Sequence, residues 1–478
     1  MLLTGEAFVA LLPELVATGF LILTLLAGVF GERNVGLVAT LAAVGSLAVF
    51  GSAAGLLASG FSGRFFGGGF VVDDFGLYFK VIVAGSAFFA VLAAARWSGY
   101  TGDAGEYLTL ILSVVVGSIL LVSMRDLFGI FLAIELATIP SYAMVAFDRS
   151  RRESAEGGMK YLITGVIASS VLLYGIVLIY GTSGSANLSD VAETLAGGLS
   201  PVALVGLVLL VSGFAFKVSA APFHFWTPDA YQGAPTSAAA FLSVAPKAAI
   251  FAVLLRILLE GMPEAAPAWT TLMAVLAIIT MFIGNLLALR QRNVRRMLAY
   301  SSVAHSGYIL AAFAALQGGA LPTAVEAVLI YAAAYALMNM GAFLTIDLVG
   351  EDAKSFNGLF RARPALALAM AAFMAALVGI PPFSGFFGKA WVILAGVQSG
   401  SVLVYVVVGA LVVNTALSVP YYFGIIRNMF FEEPTAETRR PNGAGAVRFS
   451  VYALAVATTL FIFFVGPLSA LARASGLL

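Results

Sequence analysis

The chain has 478 residues, of which 61% are hydrophobic and only 10% charged, with a formal net charge of +1. A soluble protein of this length has no interior large enough for so much apolar surface, so lipid must be its solvent. Cysteine is absent and histidine is limited to His224 and His305, which excludes disulfides, thiolate metal sites and histidine-rich metal sites; the balanced charge points away from nucleic acid.

Apolar windows of about 20 residues, the length that crosses a bilayer, recur from end to end. Fourteen are read, centred near Phe20, Leu47, Gly85, Val115, Leu136, Leu172, Val211, Ala248, Ile278, Leu310, Ala334, Phe373, Leu411 and Leu460. Turn-forming stretches such as GERN, GFSGRFFGGG, GTSGSANLSD, EGMPEAAP and QGGALP separate them. The longest polar loop, RNMFFEEPTAETRRPNGAGAVR, is too short for an inserted domain. Met1 leads on without a basic segment, so no cleavable signal peptide is expected. The expected fold is an all-α polytopic membrane protein.

Basic residues give the expected orientation. Connections after odd-numbered spans carry Arg33, Arg96, Arg149, Arg151, Arg152, Arg290, Arg292, Arg295, Arg296, Lys354, Arg361, Arg363, Arg427, Arg439, Arg440 and Arg448. The other side holds only Arg64, Arg125, Arg256 and Arg473. Sixteen against four places the first group in the cytoplasm and both termini outside. The Arg290–Arg296 cluster reads most simply as part of this signal.

The lysines are distributed differently. Lys354 alone lies in a loop, whereas Lys80, Lys160, Lys217, Lys247 and Lys389 fall within apolar windows. Arginine stays protonated in a protein, while a desolvated lysine can release its proton near neutral pH. A merely structural demand for positive charge would not sort the two types in this way.

Two of these lysines stand beside breaks. Lys217 precedes Pro222 in FKVSAAPFHFW, and Lys389 follows Pro381-Pro382 in GIPPFSGFFGK. Proline removes a backbone donor and interrupts a helix. Irregular backbone at membrane depth survives only when buried in protein or facing a wet cavity. Transporters place such broken helices correspondingly in two inverted repeats. Spans 7 and 12 are five apart and so run in opposite directions, as an inverted pair of five-helix repeats (spans 4–8 and 9–13) requires. A proline kink alone is common and carries little weight; two of them, each with a lysine, carry more.

Glu135 in LAIELATIPSY is the one acid placed in the middle of a span. The bland reading is a protonated glutamate bonded to a neighbouring helix. The functional one pairs it with an intramembrane lysine; at about 4 Å such a pair is worth on the order of 4 kcal/mol at intermediate dielectric. Lys247, near the middle of span 8, suits a relay point between the two breaks. For Lys160 two readings stand open: snorkelling to the interface or a role beside Glu135. Lys80, near a span end beside Asp73 and Asp74, reads as a snorkelling residue. His305 in AYSSVAHSGY could pass protons, or equally be a neutral hydrogen-bonding group among Ser301, Ser302 and Tyr308. His224 and Asp229 flank the span 7 break and are expected to satisfy loose backbone groups. Nucleotide-binding motifs and metal-ligand clusters are missing, so the energy for any proton movement must come from elsewhere.

FKVSAAPFHFWTPDAYQGAP, GIPPFSGFFGK, LAIELATIPSY, GGMKYLITGVIASS, RQRNVRRMLAYSSVAHSGY and LMNMGAF together resemble the subunit N family among the antiporter-like membrane subunits of the proton-pumping NADH:quinone oxidoreductase, respiratory complex I. The resemblance covers essentially the whole chain. PDAYQGAP after the span 7 break, Lys389 in span 12 and the short tail after span 14 set it apart from the sister subunits L and M. The resemblance implies that Glu135 and Lys217 form the coupling pair, that Lys247 is the central lysine, and that protons leave from Lys389. Lys160 matches a lysine that the family carries in span 6. With His305 added from its residue context, these are the expected proton-relay residues. The resemblance also implies a chain without cofactors of its own, with NADH, FMN, iron–sulfur clusters and quinone in partner subunits. Subunits M and K would be its neighbours, with A, J and L in the same membrane arm, in a bacterial inner membrane. The implied organisation is N-terminal helices at 1–103, a first repeat at 104–262, an inverted second repeat at 263–430, and a loop and last helix at 431–478. A sodium/proton antiporter subunit and a structural membrane scaffold are the alternatives, and PDAYQGAP argues against the first.

Overall fold

The computed structural model describes residues 5–30, 34–95, 103–435 and 445–474. Arg33, Arg96, Arg439 and Arg440, used above to orient the chain, lie outside the described residues. Every expected window coincides with helix. The first six are α1 (Leu12–Phe30), α2 (Val35–Ser59), α3 (Asp74–Ala94), α4 (Ala104–Leu121), α5 (Leu127–Val145) and α6 (Arg152–Ser183). Polar side chains fix where several start, by accepting from a free amide of the first turn: Asn34 from Leu37, Asp73 from Gly76, Asp126 from Gly129. Among the described residues ten helices are long and apolar enough to cross a membrane, and a bent pair makes up to eleven. Broken helices supply the seventh, twelfth and fourteenth windows, while the tenth, Val294–Ala314, is an unbroken 21-residue helix whose polar side chains keep it out of that count.

The seventh window is split as expected. Helix α7 (Pro201–Lys217) ends on the lysine itself, and α8 (Trp226–Gly233) resumes beyond the break. The eighth carries an interruption that was not anticipated: α9 (Thr236–Leu242) and α10 (Ala245–Arg256) are separated at Ser243-Val244. Pro246 is the reason, because it has no amide to offer the Leu242 carbonyl one turn back. Then come α11 (Ala266–Ala288), α12 (Val294–Ala314) and α13 (Leu321–Val349). The twelfth window is split into α14 (Pro364–Val378) and α15 (Ser384–Gln398), followed by α16 (Val402–Phe431). The last window is also two helices, α17 (Gly445–Thr459) and α18 (Ile462–Ala474), meeting at 74°. Among the described residues the one strand pair is a hairpin in the GFSGRFFGGG break, where β1 (Gly63–Phe65) pairs antiparallel with β2 (Phe70–Val72). Gly67 and Gly68, at φ +70° and +86°, make its turn possible.

Helix α12 is buried along almost its whole length, and α11, α13 and α15 pack around it. Its contact with α11 is a backbone-to-backbone approach. A Cβ on Gly284 would sit 2.4 Å from the Ala304 amide nitrogen, and one on Gly307 would sit 2.8 Å from that of Met281. Small residues permit this proximity in lipid, where dispersion and hydrogen bonding drive helix association.

Candidate functional site

Lys217 closes α7, 8% exposed, and its ammonium is met by three groups. It lies 3.2 Å from Glu135 Oε1 on α5, and donates to Ser169 Oγ on α6 at 3.0 Å and to Thr138 Oγ1 at 3.3 Å. Ser169 in turn donates to the same Glu135 oxygen at 2.6 Å. A buried pair of charges survives only with such secondary bonds. The backbone groups freed by the break are served by others: Trp226 Nε1 donates to the Phe216 carbonyl at 3.2 Å, Ser306 Oγ to the Val218 carbonyl at 2.6 Å, and the Ala221 amide to Thr280 Oγ1 at 3.0 Å. Lys217 is thereby left for Glu135.

Lys247 sits just past the interruption in the eighth window. Its ammonium donates to Ser302 Oγ at 2.6 Å and faces the Tyr231 ring at 5.7 Å. Tyr231 also donates its hydroxyl to the Leu242 carbonyl at 3.2 Å, the acceptor that Pro246 leaves without an amide. Lys389, 4% exposed, reaches back to the end of α14, donating to the Val378 carbonyl at 2.8 Å and the Leu377 carbonyl at 3.3 Å. Its ammonium lies 4.5 Å from the Tyr308 ring, a cation–π contact. A cavity of about 540 Å³ opens beside it, lined by Gly379, Phe386, Leu411 and Thr415 among others.

One helix touches all three lysine regions. From α12, Ser302 meets Lys247, Ser306 reaches the Val218 carbonyl beside Lys217, and Tyr308 lies under Lys389. His305 lies between them, with Nδ1 2.9 Å from the Tyr331 hydroxyl and Nε2 3.3 Å from that of Tyr422. Tyr422 is also bonded to Ser301. The His305 ring nitrogens thus meet the hydroxyls of Tyr331 and Tyr422 rather than Ser301, Ser302 or Tyr308. Residues 302, 305, 306 and 308 lie within two turns and share one broad face. The polar stripe AYSSVAHSGY in an otherwise apolar window is the sequence signal for this face.

Of the two readings open for Lys160, the geometry fits the interfacial one: its half-exposed ammonium bonds Asp229 and Glu156, each at 2.7 Å. Other expectations require correction. Asp229 bonds Lys160 and Arg296 side chains rather than loose backbone. Arg295 and Arg296 do more than mark topology. Arg295 is buried and donates to the Gln232 and Ala234 carbonyls and to Thr236, while Arg296 holds Asp229 and Gln232, so both fasten α8 to the start of α12. Lys80 does not snorkel: it is fully buried, 2.6 Å from Glu14 of α1. Glu14 and Glu326, which sequence reading left aside, are buried acids within α1 and α13. Arg125, Glu260, Arg256 and Asp73 form a linked set of ion pairs at the other end of α10. A polar recess of about 310 Å³, lined by Asp148, Arg151, Thr236, Arg295 and Glu351 among others, opens at the start of α9.

Comparison with known proteins accords with this geometry. Residues 124–418 match the family described as the membrane part of NADH:quinone oxidoreductase and Mrp antiporters. The NADH-quinone oxidoreductase subunit N of Rubrobacter xylanophilus is 76% identical over the full length of both chains, and that of Rhodospirillum rubrum is 34% identical over 95% of this chain and 94% of its own. Among solved structures, a chain of respiratory complex I from Thermus thermophilus superposes with a TM-score of 0.82 at 30% identity, covering 97% of this chain and all of the other. A chain of the Mrp complex from Dietzia sp. DQ12-45-1b shares the fold, with a TM-score of 0.85 at 21% identity over 98% of this chain and 96% of its own. The helices, the breaks and the full-length relatives agree: this multi-pass membrane chain belongs to the NADH-quinone oxidoreductase subunit N family of antiporter-like membrane subunits.

Proposed function

We propose that the chain is a proton channel in the membrane arm of a proton-translocating NADH:quinone oxidoreductase, driven by redox chemistry in other subunits. The observation that carries this is the Glu135–Lys217 pair at 3.2 Å, set against a buried helix whose polar face also reaches Lys247 and Lys389. While Glu135 is held against Lys217 the ammonium keeps its proton. When the carboxylate's influence is withdrawn, the desolvated lysine gives the proton up toward Lys247. Ser302, Ser306 and the His305–tyrosine cluster offer hydroxyls and a ring nitrogen between the sites. From Lys247 the proton passes to Lys389 and leaves, and the restored Glu135 contact favours reprotonation of Lys217.

In this reading protons enter from the cytoplasm through the recess at the start of α9, with Lys160 near the entrance, and both termini face outward. Helices 104–262 and 263–430 act as inverted five-helix repeats, preceded by 1–103 and followed by 431–478. The chain holds no cofactor; NADH, FMN, iron–sulfur clusters and quinone belong to partner subunits. M and K are the proposed neighbours, with A, J and L in the same arm of a complex in the bacterial inner membrane.

The test is reconstitution of the whole complex in proteoliposomes, counting protons moved per NADH oxidised. Lys217→Ala and Glu135→Ala should each abolish or sharply reduce the count in an assembled complex. Full pumping in both would sink the assignment. Sodium-dependent proton exchange without any redox donor would move the chain to the antiporter alternative.

A further inference from the structure

One buried carboxylate has no part in the lysine series. Glu326 lies in the second turn of α13, 3% exposed, with both oxygens engaged. Arg473 Nε donates to Oε1 at 2.6 Å; Ser469 Oγ and Trp391 Nε1 donate to Oε2 at 2.6 and 3.0 Å. Two of these donors belong to α18, beyond the 74° bend. The third belongs to α15, the half-helix of Lys389.

A second contact joins the same three elements without using the carboxylate. Ile330 and Ala334 of α13, Phe461 and Val465 at and beyond the bend, and Phe387 and Trp391 of α15 form a small apolar cluster separate from the main core. Phe387 and Trp391 stand two residues to either side of Lys389. At about 100° per residue, each points some 160–200° away from the lysine. The grip is therefore on the face of α15 opposite the one that reaches the Leu377 and Val378 carbonyls.

We propose that α18 is a clasp on α15 and that Glu326 is its pin, a positioning residue that sets the rotation of the Lys389 half-helix. The proposal rests on the role given to Lys389 above. Apolar packing alone lets a helix slide or turn at little cost. A carboxylate that accepts from an indole, a hydroxyl and a guanidinium at once is satisfied in a single arrangement. Any turn of α15 breaks the Trp391 bond on one side as it moves Lys389 from its carbonyls on the other.

The test compares Glu326→Leu, which removes both acceptors, with Glu326→Gln, which keeps one oxygen, in the intact complex. Amide hydrogen exchange of the peptide spanning Ser384–Gln398 reports the hold on α15, and the pH profile of protons moved per NADH oxidised reports Lys389. Glu326→Leu should raise exchange in that peptide by about tenfold, as expected for a locally loosened element, and displace the pumping profile; Glu326→Gln should restore most of both. If Glu326→Leu prevents assembly, Trp391→Phe removes the indole donor alone and should move both readouts the same way by less. Unchanged exchange and an unchanged profile in the assembled variants would overturn the clasp. Lys389→Met is measured alongside. If it pumps normally, the role of Lys389 fails while the exchange result still decides the clasp; if it fails to pump and the Glu326 variants are normal, only the clasp falls.

Discussion

The two lysines beside expected breaks solve opposite problems. At the first break, side chains from other helices take the freed backbone groups: Trp226 and Ser306 the carbonyls, Thr280 an amide. Lys217 is spared that duty and faces a carboxylate. At the second break Lys389 itself caps the two carbonyls at the end of α14, and the groups it meets are neutral: two carbonyls and a tyrosine ring. One site is governed by another charge, the other by dipoles. On the proposed mechanism a proton is released from the first by moving Glu135, whereas the second is discharged by something that reaches it from outside its own shell.

Several substitutions would sharpen or break this contrast. The largest effect is expected from Glu135→Gln, which keeps the hydrogen-bonding shape and removes the charge that Lys217 answers to. Proton transfer should slow by at least about tenfold, equivalent to one unit of proton affinity, measured as pumping in proteoliposomes; an unaltered rate would erase the distinction between the two lysines. Next comes Lys389→Met. It leaves the Leu377 and Val378 carbonyls without their donor, so it should lower thermal stability by about 1–3 kcal/mol as well as slow pumping several-fold. Lys389→Arg, able to donate but unable to discharge, should recover the stability and not the pumping. If Met and Arg melt alike, the capping role is wrong.

Ser306→Ala tests the other side of the contrast, since it deprives the Val218 carbonyl of its hydroxyl. A loss of about 1 kcal/mol in denaturant or thermal titration is expected, with Lys217 and its pair intact. Lys160→Gln should matter least for stability. Its pair with Asp229 is half-exposed and Asp229 keeps Arg296, so the change should stay below about 1 kcal/mol, read from the melting temperature of the detergent-solubilised complex.

Much of this was legible in the sequence because lipid imposes a coarse grammar. Windows of apolar residues located the helices, and prolines with adjacent lysines located two breaks. That Glu135 meets a lysine within the membrane was legible because intramembrane charges are scarce and seek each other; that the lysine is Lys217 was implied by the family resemblance. The third interruption, beside Lys247, was legible in VAPKAA, but a single proline is common enough in membrane helices to pass unremarked. What stayed hidden depended on which helix lies next to which. Nothing local tells Lys80 that Glu14 is within reach, or Arg295 that the end of α8 needs donors. The polar face of α12 was visible as composition, yet its partners come from α7, α10, α13, α14 to α16 and so from all over the chain.

That α12 face has an evolutionary corollary. Its contacts to three lysine regions occupy residues 301–308, and its backbone is pressed against α11 through Gly284 and Gly307. A single-residue insertion between Asn293 and Ser301 would advance every later side chain by about 100°. All the hydroxyls, the histidine and the small-residue seam would lose their partners together. Point substitutions along α12 can be sampled one contact at a time, but changes in its length cannot. Across relatives, this helix should therefore be free of gaps even where the hairpin and the loop after α16 vary in length.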